Sequence, residues 1–290
     1  MLATDLTDIL FGTPSPVVSQ VNLGVLKSDE VNIVVHGHEP TLSEMIVTAV
    51  QDPELIAYAK SKGAQGINLC GLCCTSNETL MCQGIASAGN FLNQELAIIT
   101  GAVDAMVVDV QCIMQALPDL AKNFHTKIIT TSPKVYITGS TYIPFDEHHA
   151  LDVARQIVRV AIDTYTERGE THIPSGATDM VPGFSHEYIG YMQGGLHRSS
   201  FRPLNDAVIA GRIRGLAGVV GCNNARVPQD EATNKIIAEL IKNDVLVVVT
   251  GCAATAAAKD GYLRPEFMDQ AGAGLREVCE AIGIPPVVHV

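Results

Sequence analysis

The stretch Val31-Asn-Ile-Val-Val-His-Gly-His38 decides how the fold is read. It is short and dense in Val and Ile, as a strand covered on both faces should be. It ends on an imidazole, His38. Four further stretches repeat the pattern with a thiol at the end: QGINLCGLCC to Cys73 and Cys74, AMVVDVQC to Cys112, LAGVVGC to Cys222, and VLVVVTGC to Cys252. Helical segments separate the strands, which predicts an α/β protein with parallel sheets and right-handed crossovers. The carboxyl ends of parallel strands share one edge of a sheet, and ligands bind at that edge. Thiolates and an imidazole gathered there make a metal site rich in sulfur. Cys favours iron–sulfur clusters, Zn and Cu(I), and His suits Fe, Ni and Zn.

Upstream of the first strand, the segment to about Glu30 contains Gly12, Pro14 and Pro16 and reads as loop. Downstream, Thr41-Leu-Ser-Glu44 reads as a capping box, with Thr41 as N-cap and Glu44 reaching back. Gly63 and Gly66 close that helical region. Helices are predicted from about Asn77, from about Leu92, over 114–122 and over 147–167, with a strand at KIITT. The stretch 168–198 holds Pro174, Pro182 and glycines 169, 176, 183, 190, 194 and 195, and is the best candidate for a boundary. Alternation resumes after it: a helix near 205–212, LAGVVG, a helix over 231–242, VLVVVTG, helices through 254–282 and a last strand, VVHV. The expected organisation is two Rossmann-like parallel-sheet domains. Residues 1–175 hold His38, Cys74 and Cys112. Residues 176–290 hold Cys222 and Cys252 and read as incomplete, because the chain stops just after an apolar strand.

A chain of 290 residues, 47% hydrophobic and 17% charged, can bury a large core and is neither disordered nor fibrous. Its net charge of −12 argues against a nucleic-acid surface. No apolar run approaches the roughly 18 residues of a membrane span. MLATDLTDIL lacks the basic flank and apolar stretch of a signal peptide. The chain therefore reads as cytoplasmic. Its eight cysteines should stay reduced, as metal ligands or buried thiols.

Several motifs are missing. No G-x-G-x-x-G opens a helix, Gly84 to Gly89 is followed by Asn90 rather than Lys, and neither H-E-x-x-H nor G-x-S-x-G occurs. Cys70, Cys73, Cys74 and Cys82 form a C-x-x-C-C cluster with a trailing Cys but no matching second pair. Burial in the strand accounts for Cys70, and burial in helices for Cys82 and Cys279. Cys73 and Cys74 fall in the turn after their strand, so at least one of them is read as functional.

The strings VNIVVHGHEPTLSEMIV, GINLCGLCCTSNETLM, QELAIITGAVDAMVVDVQCIMQALP, VVGCNNARVPQD and VTGCAATAAAKDG resemble the catalytic subunit of the anaerobic nickel–iron carbon monoxide dehydrogenases. The match runs in order over nearly the whole chain. The resemblance implies reversible oxidation of CO with water to CO2, two protons and two electrons, at a buried Ni-4Fe-4S cluster. His38 and Cys74 match the pair on the iron outside the cubane. Cys112, Cys222 and Cys252 match the thiolates on the other three irons. A His and a Cys leave an iron with an open position for water, which a metal ion acidifies. His36 remains an alternative to His38, and Cys73 to Cys74. His125, His148, His149, His172, His186 and His197 lack ligand-like neighbours. The resemblance also implies a ferredoxin-type electron acceptor, a homodimer in the full-length family, and acetyl-CoA synthase as a further partner.

The family's N-terminal helical domain, with its electron-transfer 4Fe-4S clusters, has no counterpart here. Nor do the later nickel-binding cysteine and the lysine that follows it. The chain is thus expected to be a fragment without CO-dependent turnover of its own. Two other readings remain: a hybrid-cluster-type reductase of nitrogen compounds, separated by its metal content, and a non-catalytic iron–sulfur-binding module. His38, Cys74, Cys112, Cys222 and Cys252 are expected to converge at the carboxyl edges of two sheets.

Overall fold

The computed structural model describes residues 2–290. Its first elements are α1 (Leu2–Phe11), β1 (Ser19–Val21), β2 (Val31–His36), α2 (Pro40–Val50), α3 (Pro53–Ser61), β3 (Ile67–Leu72), α4 (Cys73–Gln83) and β4 (Ser87–Gly89). Then follow α5 (Gln94–Ile99), β5 (Val103–Val108), α6 (Leu117–Ala121), β6 (Lys127–Thr130), β7 (Thr141–Tyr142) and α7 (Ala150–Tyr165). The last are β8 (Thr178–Met180), α8 (His186–Gly194), α9 (Arg202–Ile209), β9 (Gly215–Val220), α10 (Glu231–Lys242), β10 (Val245–Thr250), α11 (Gly251–Lys259), α12 (Ala273–Ile282) and β11 (Val287–His289). Among the described residues no helix is long and apolar enough to cross a membrane.

The chain divides into two compact units: residues 20–79 with 85–177, and residues 2–19 with 80–84 and 178–290. In the first unit the strands run β7-β6-β5-β2-β3-β4-β1, with parallel pairing throughout. The chain goes from β2 to β3 on one side and then returns to β5 on the other. Crossovers therefore leave β2 and β5 in opposite directions, which makes the gap between their carboxyl ends the topological switch point.

Side chains alternate across this sheet and bury both faces, as the β-branched runs require. Val31, Ile33, Val35, Ala105, Val107 and Ile129 pack with Leu42 and Ile46 of α2, Leu55 of α3, and Ile157 and Ile162 of α7. Val34, Cys70, Leu72, Met106 and Val108 pack on the opposite face with Ile98 of α5 and Leu117 of α6. Helix α7 suits its place because Ala154, Ile157, Val158, Ala161 and Ile162 fall on one stripe. The amino edge of the sheet is closed by a polar lock. Asp104 accepts hydrogen bonds from Asn32 N at 2.7 Å and Arg168 Nε at 3.1 Å, and it contacts His125 Nε2 at 2.8 Å. Arg168 also donates to the carbonyls of Ser28 (2.9 Å) and Glu30 (2.7 Å).

The second unit has the parallel sheet β11-β10-β9. Ile237 and Ile241 of α10, the alanines of α11, and Leu275, Val278 and Cys279 of α12 are buried around it.

Local details depart from expectation. The capping box does not form: α2 starts two residues earlier than a Thr41 cap would place it, at Pro40, with Glu39 as a cap that makes no side-chain hydrogen bond. Proline suits the first helical turn, where its missing N–H is no loss. The segment before Glu30 is more regular than loop, containing α1 and β1. The Gly/Pro-rich stretch after Arg168 holds β8 and α8. Cys73 and Cys74 do not sit in a turn but open α4 directly.

Candidate metal centre

Strand register places the first unit's ligand candidates side by side. His36 pairs with Leu72 on β3 and with Val108 on β5. His38 and Cys74 are thus at equivalent positions two residues past adjacent strand ends, and Cys112 lies four past the end of β5. Adjacent strands are about 4.8 Å apart, so a side chain from each reaches the same edge.

Each turn is shaped by its backbone. Gly37 has φ +142° and Cys73 φ +61°, while Gln111 and Cys112 are left-handed at +60° and +54°. Gly71 admits the close return of α4, since a Cβ there would lie 2.5 Å from Ser76 Cα. The Thr75 N–H donates to the Gly37 carbonyl at 2.8 Å and stitches the His38 turn to the start of α4. Fully buried Gln94 holds the Cys112 turn: Nε2 donates to Cys112 O at 2.7 Å and to Phe91 O at 2.9 Å, and Oε1 accepts from Met114 N at 3.1 Å.

His38 Nδ1 is 3.1 Å from Val110 O. A carbonyl only accepts, so Nδ1 carries the proton and Nε2 presents a lone pair. Metal-bound histidines commonly show this arrangement. Asp109, buried beside it, accepts from His38 N at 2.7 Å and Glu39 N at 3.2 Å. Burial pushes the Asp109 pKa up, against these backbone donors.

His36 differs. It is wholly buried and neither ring nitrogen makes a hydrogen bond of ordinary geometry. Burial pushes its pKa down to about 4, against the pull of nearby Gln94 and the backbone of Cys112 and Leu72. Thr75 Oγ1 and Ser76 Oγ are also buried without a partner. Buried polar groups are rarely left so, and these residues flank His38 and Cys74 in the chain.

The second unit repeats the device. Val220 pairs with Thr250, so Cys222 and Cys252 are likewise equivalent, each two residues past its strand. The Gly221 carbonyl, at φ +121°, accepts from Ala253 N at 3.1 Å, just as Gly37 accepts from Thr75. Asp230 links Asn223 of the Cys222 turn to Lys259 at the end of α11. Cys252 is buried and Cys222 exposed. Cys252 and Cys74 both stand in the first turn of a helix.

None of the eight cysteines is joined in a disulfide. Cys70 is wholly buried, and burial pushes its thiol up to about 12. Cys279 is buried in α12 and is likewise raised to about 12 by burial. Both are core residues. Among the described residues no group of three or more His, Cys, Asp or Glu side chains surrounds a single ion position. A cluster spreads its ligands over several metals, one thiolate to each iron. Asp109 and Gln94 escaped the sequence reading. The signal available was a carboxylate and an amide inside otherwise apolar segments.

A doubly wound α/β unit with an imidazole and thiols just past the carboxyl ends of its strands carries ligand-type side chains at the edge where open parallel sheets bind their ligands. The chain belongs to the Prismane/CO dehydrogenase family, whose model matches residues 1–290. It is 53% identical to carbon monoxide dehydrogenase 1 of Methanosarcina mazei, over 100% of this chain and 46% of that protein. It is 45% identical to the carbon monoxide dehydrogenase of Rhodospirillum rubrum, over 100% of this chain and 47% of that protein. The Ni-free structure of carbon monoxide dehydrogenase from Thermococcus sp. AM4 matches with TM-score 0.96 and 49% identity, over 100% of this chain and 45% of that one. Carbon monoxide dehydrogenase IV of Carboxydothermus hydrogenoformans matches with TM-score 0.95 and 50% identity, over 99% of this chain and 47% of that one. The chain thus spans about half the length of these relatives.

Proposed function

We propose that this chain supplies cluster-holding residues of an anaerobic carbon monoxide dehydrogenase, which oxidises CO and water to CO2, two protons and two electrons. Two relatives named for this activity match the whole chain at 53% and 45% identity. The observation that carries the reading is the shared device: two pairs of ligand candidates, His38 with Cys74 and Cys222 with Cys252, each two residues past neighbouring parallel strands. His38, Cys74, Cys112, Cys222 and Cys252 would hold a nickel–iron–sulfur cluster.

The residues fit such a group. The donor set is four soft thiols and one imidazole, the tautomer of His38 leaves Nε2 available, and the unpartnered Thr75 and Ser76 hydroxyls suit sulfide acceptors. When bound, the cluster would supply Lewis acidity toward water and a reservoir for two electrons. The chain's own part is to fix ligand positions through the backbone turns and the hydrogen bonds of Gln94 and Asp109, and to hold the proton of His38 on Nδ1. A ferredoxin-type acceptor, a homodimer and an association with acetyl-CoA synthase belong to the same proposal.

The test is anaerobic reconstitution with ferrous iron, sulfide and nickel. Wild type should retain iron and labile sulfide, and H38A, C112A and C252A should each retain less. The native protein carrying this chain should reduce a viologen dye with CO in a nickel-dependent manner. Iron retention indifferent to all three substitutions would refute the ligand set, and CO-independent behaviour of the native protein would refute the activity.

A further inference from the structure

We propose that Asp109 is a positioning residue that sets both the place and the tautomer of His38. The proposal rests on the reading of His38 as a ligand, and goes beyond it by naming what makes His38 competent. Asp109 follows β5 directly and is 3% exposed. Its Oδ1 accepts from His38 N at 2.7 Å and from Val110 N, and its Oδ2 accepts from Glu39 N at 3.2 Å. One carboxylate therefore ties together both sides of the switch point.

The second half of the device runs through Val110. Asp109 holds the Val110 N–H, and the Val110 carbonyl faces His38 Nδ1 at 3.1 Å. Asp109 thus anchors residue 110 through its N–H, and the carbonyl on the other side of the same residue is the acceptor that keeps the proton on Nδ1. Which nitrogen of a histidine binds a metal is decided by the hydrogen bond of the other. An ionised carboxylate is the side chain for this position, because it has acceptors only. An amide of the same shape would turn an NH2 group against main-chain N–H donors.

Gly37 completes the arrangement. A Cβ at Gly37 would lie 1.8 Å from Asp109 Oδ1, and its φ of +142° is itself a glycine conformation. Any larger residue at 37 would evict the carboxylate. The middle residue of His36-Gly37-His38 and Asp109 are therefore two parts of one device on neighbouring strands.

The test uses the full chain, metal-free, with 15N-labelled histidine at about pH 8.5, where an ordinary imidazole is neutral. The His38 signals are assigned by their loss in H38Q. Wild type should show the Nδ1–H tautomer. D109N and G37A should each shift His38 toward Nε2–H and weaken retention of ferrous iron by about 10–100-fold, as loss of such a supporting partner does. D109N combined with G37A should be no worse than either alone, because both remove the same constraint. An Nε2–H tautomer in the wild-type chain overturns the proposal without any variant, and so does an unchanged tautomer in D109N. A tautomer that shifts while iron retention ignores H38Q supports the role of Asp109 and removes His38 from the ligand set.

Discussion

Gln94 is the residue whose removal should most clearly loosen the Cys112 turn. Gln94→Leu keeps the approximate volume but deletes three hydrogen bonds, to Cys112 O, Phe91 O and Met114 N. A typical internal hydrogen bond contributes about 1 kcal/mol net, and a stranded buried partner costs about 1–3 kcal/mol. Cys112 and Met114 are only partly buried, so water recovers part of that cost and the lower end applies. The expected loss is about 3 kcal/mol, a large share of the roughly 5–15 kcal/mol of a typical fold. The turn also holds two left-handed non-glycine residues, Gln111 and Cys112. Such conformations cost on the order of 1–3 kcal/mol each and persist only while their surroundings enforce them. Released from Gln94, the turn should relax and Cys112 should lose its position. Urea titration of the metal-free chain reads the first effect as a lower midpoint at unchanged slope. Iron retention after reconstitution reads the second. A stability loss below about 0.5 kcal/mol together with undiminished iron would show that Gln94 does not hold this turn.

Three other outcomes are expected. A thiol reagent at neutral pH should modify exposed Cys222 first, whereas Cys70 and Cys279, wholly buried with thiols raised to about 12, should react only as the chain unfolds; rapid labelling of Cys70 in the native chain would contradict its core placement. Burial holds His289 neutral down to about 4 against its usual 6.5, so the unfolded chain binds more protons between these values. Its contribution is full above pH 6.5 and falls as the pH drops toward 4, by at most about 3 kcal/mol, and H289Q should flatten that part of the urea-midpoint profile against pH. Asp104→Ala should cost about 3–5 kcal/mol by stranding buried Arg168, and adding R168M should recover part of it, as measured by thermal unfolding.

The elements most legible in the sequence were those with many β-branched residues in a row. VNIVVH, the AMVV of AMVVDV, KIIT and VLVVVT are strands where expected, and the parallel α/β class follows from them. Ligand candidates at strand ends were legible for the same reason: a strand's last residue is marked by the end of its apolar run. The two- and three-residue strands β1, β4 and β7 were not, because so few residues carry no period. The start of α4 at Cys73 was hidden because a left-handed φ at a cysteine has no residue signature. The capping box failed because Pro40 offered a competing start. Asp109 and Gln94 act through main-chain groups brought near only by folding, which spacing along the chain does not report.

The lock on Arg168 has a consequence for the order in which the protein is built. Arg168 reaches the carbonyls of Ser28 and Glu30, 140 and 138 positions earlier in the chain. Contacts that distant form late, since a long loop must close first. During synthesis His38, Cys74 and Cys112 all leave the ribosome well before Arg168 does. The sulfur and nitrogen donors of this unit therefore spend an interval on an unclosed sheet, open to stray metal ions and oxidants. On the proposed ligand set, delivery of the metals would be best timed after closure, when the amino edge is fastened and the opposite edge has taken its shape.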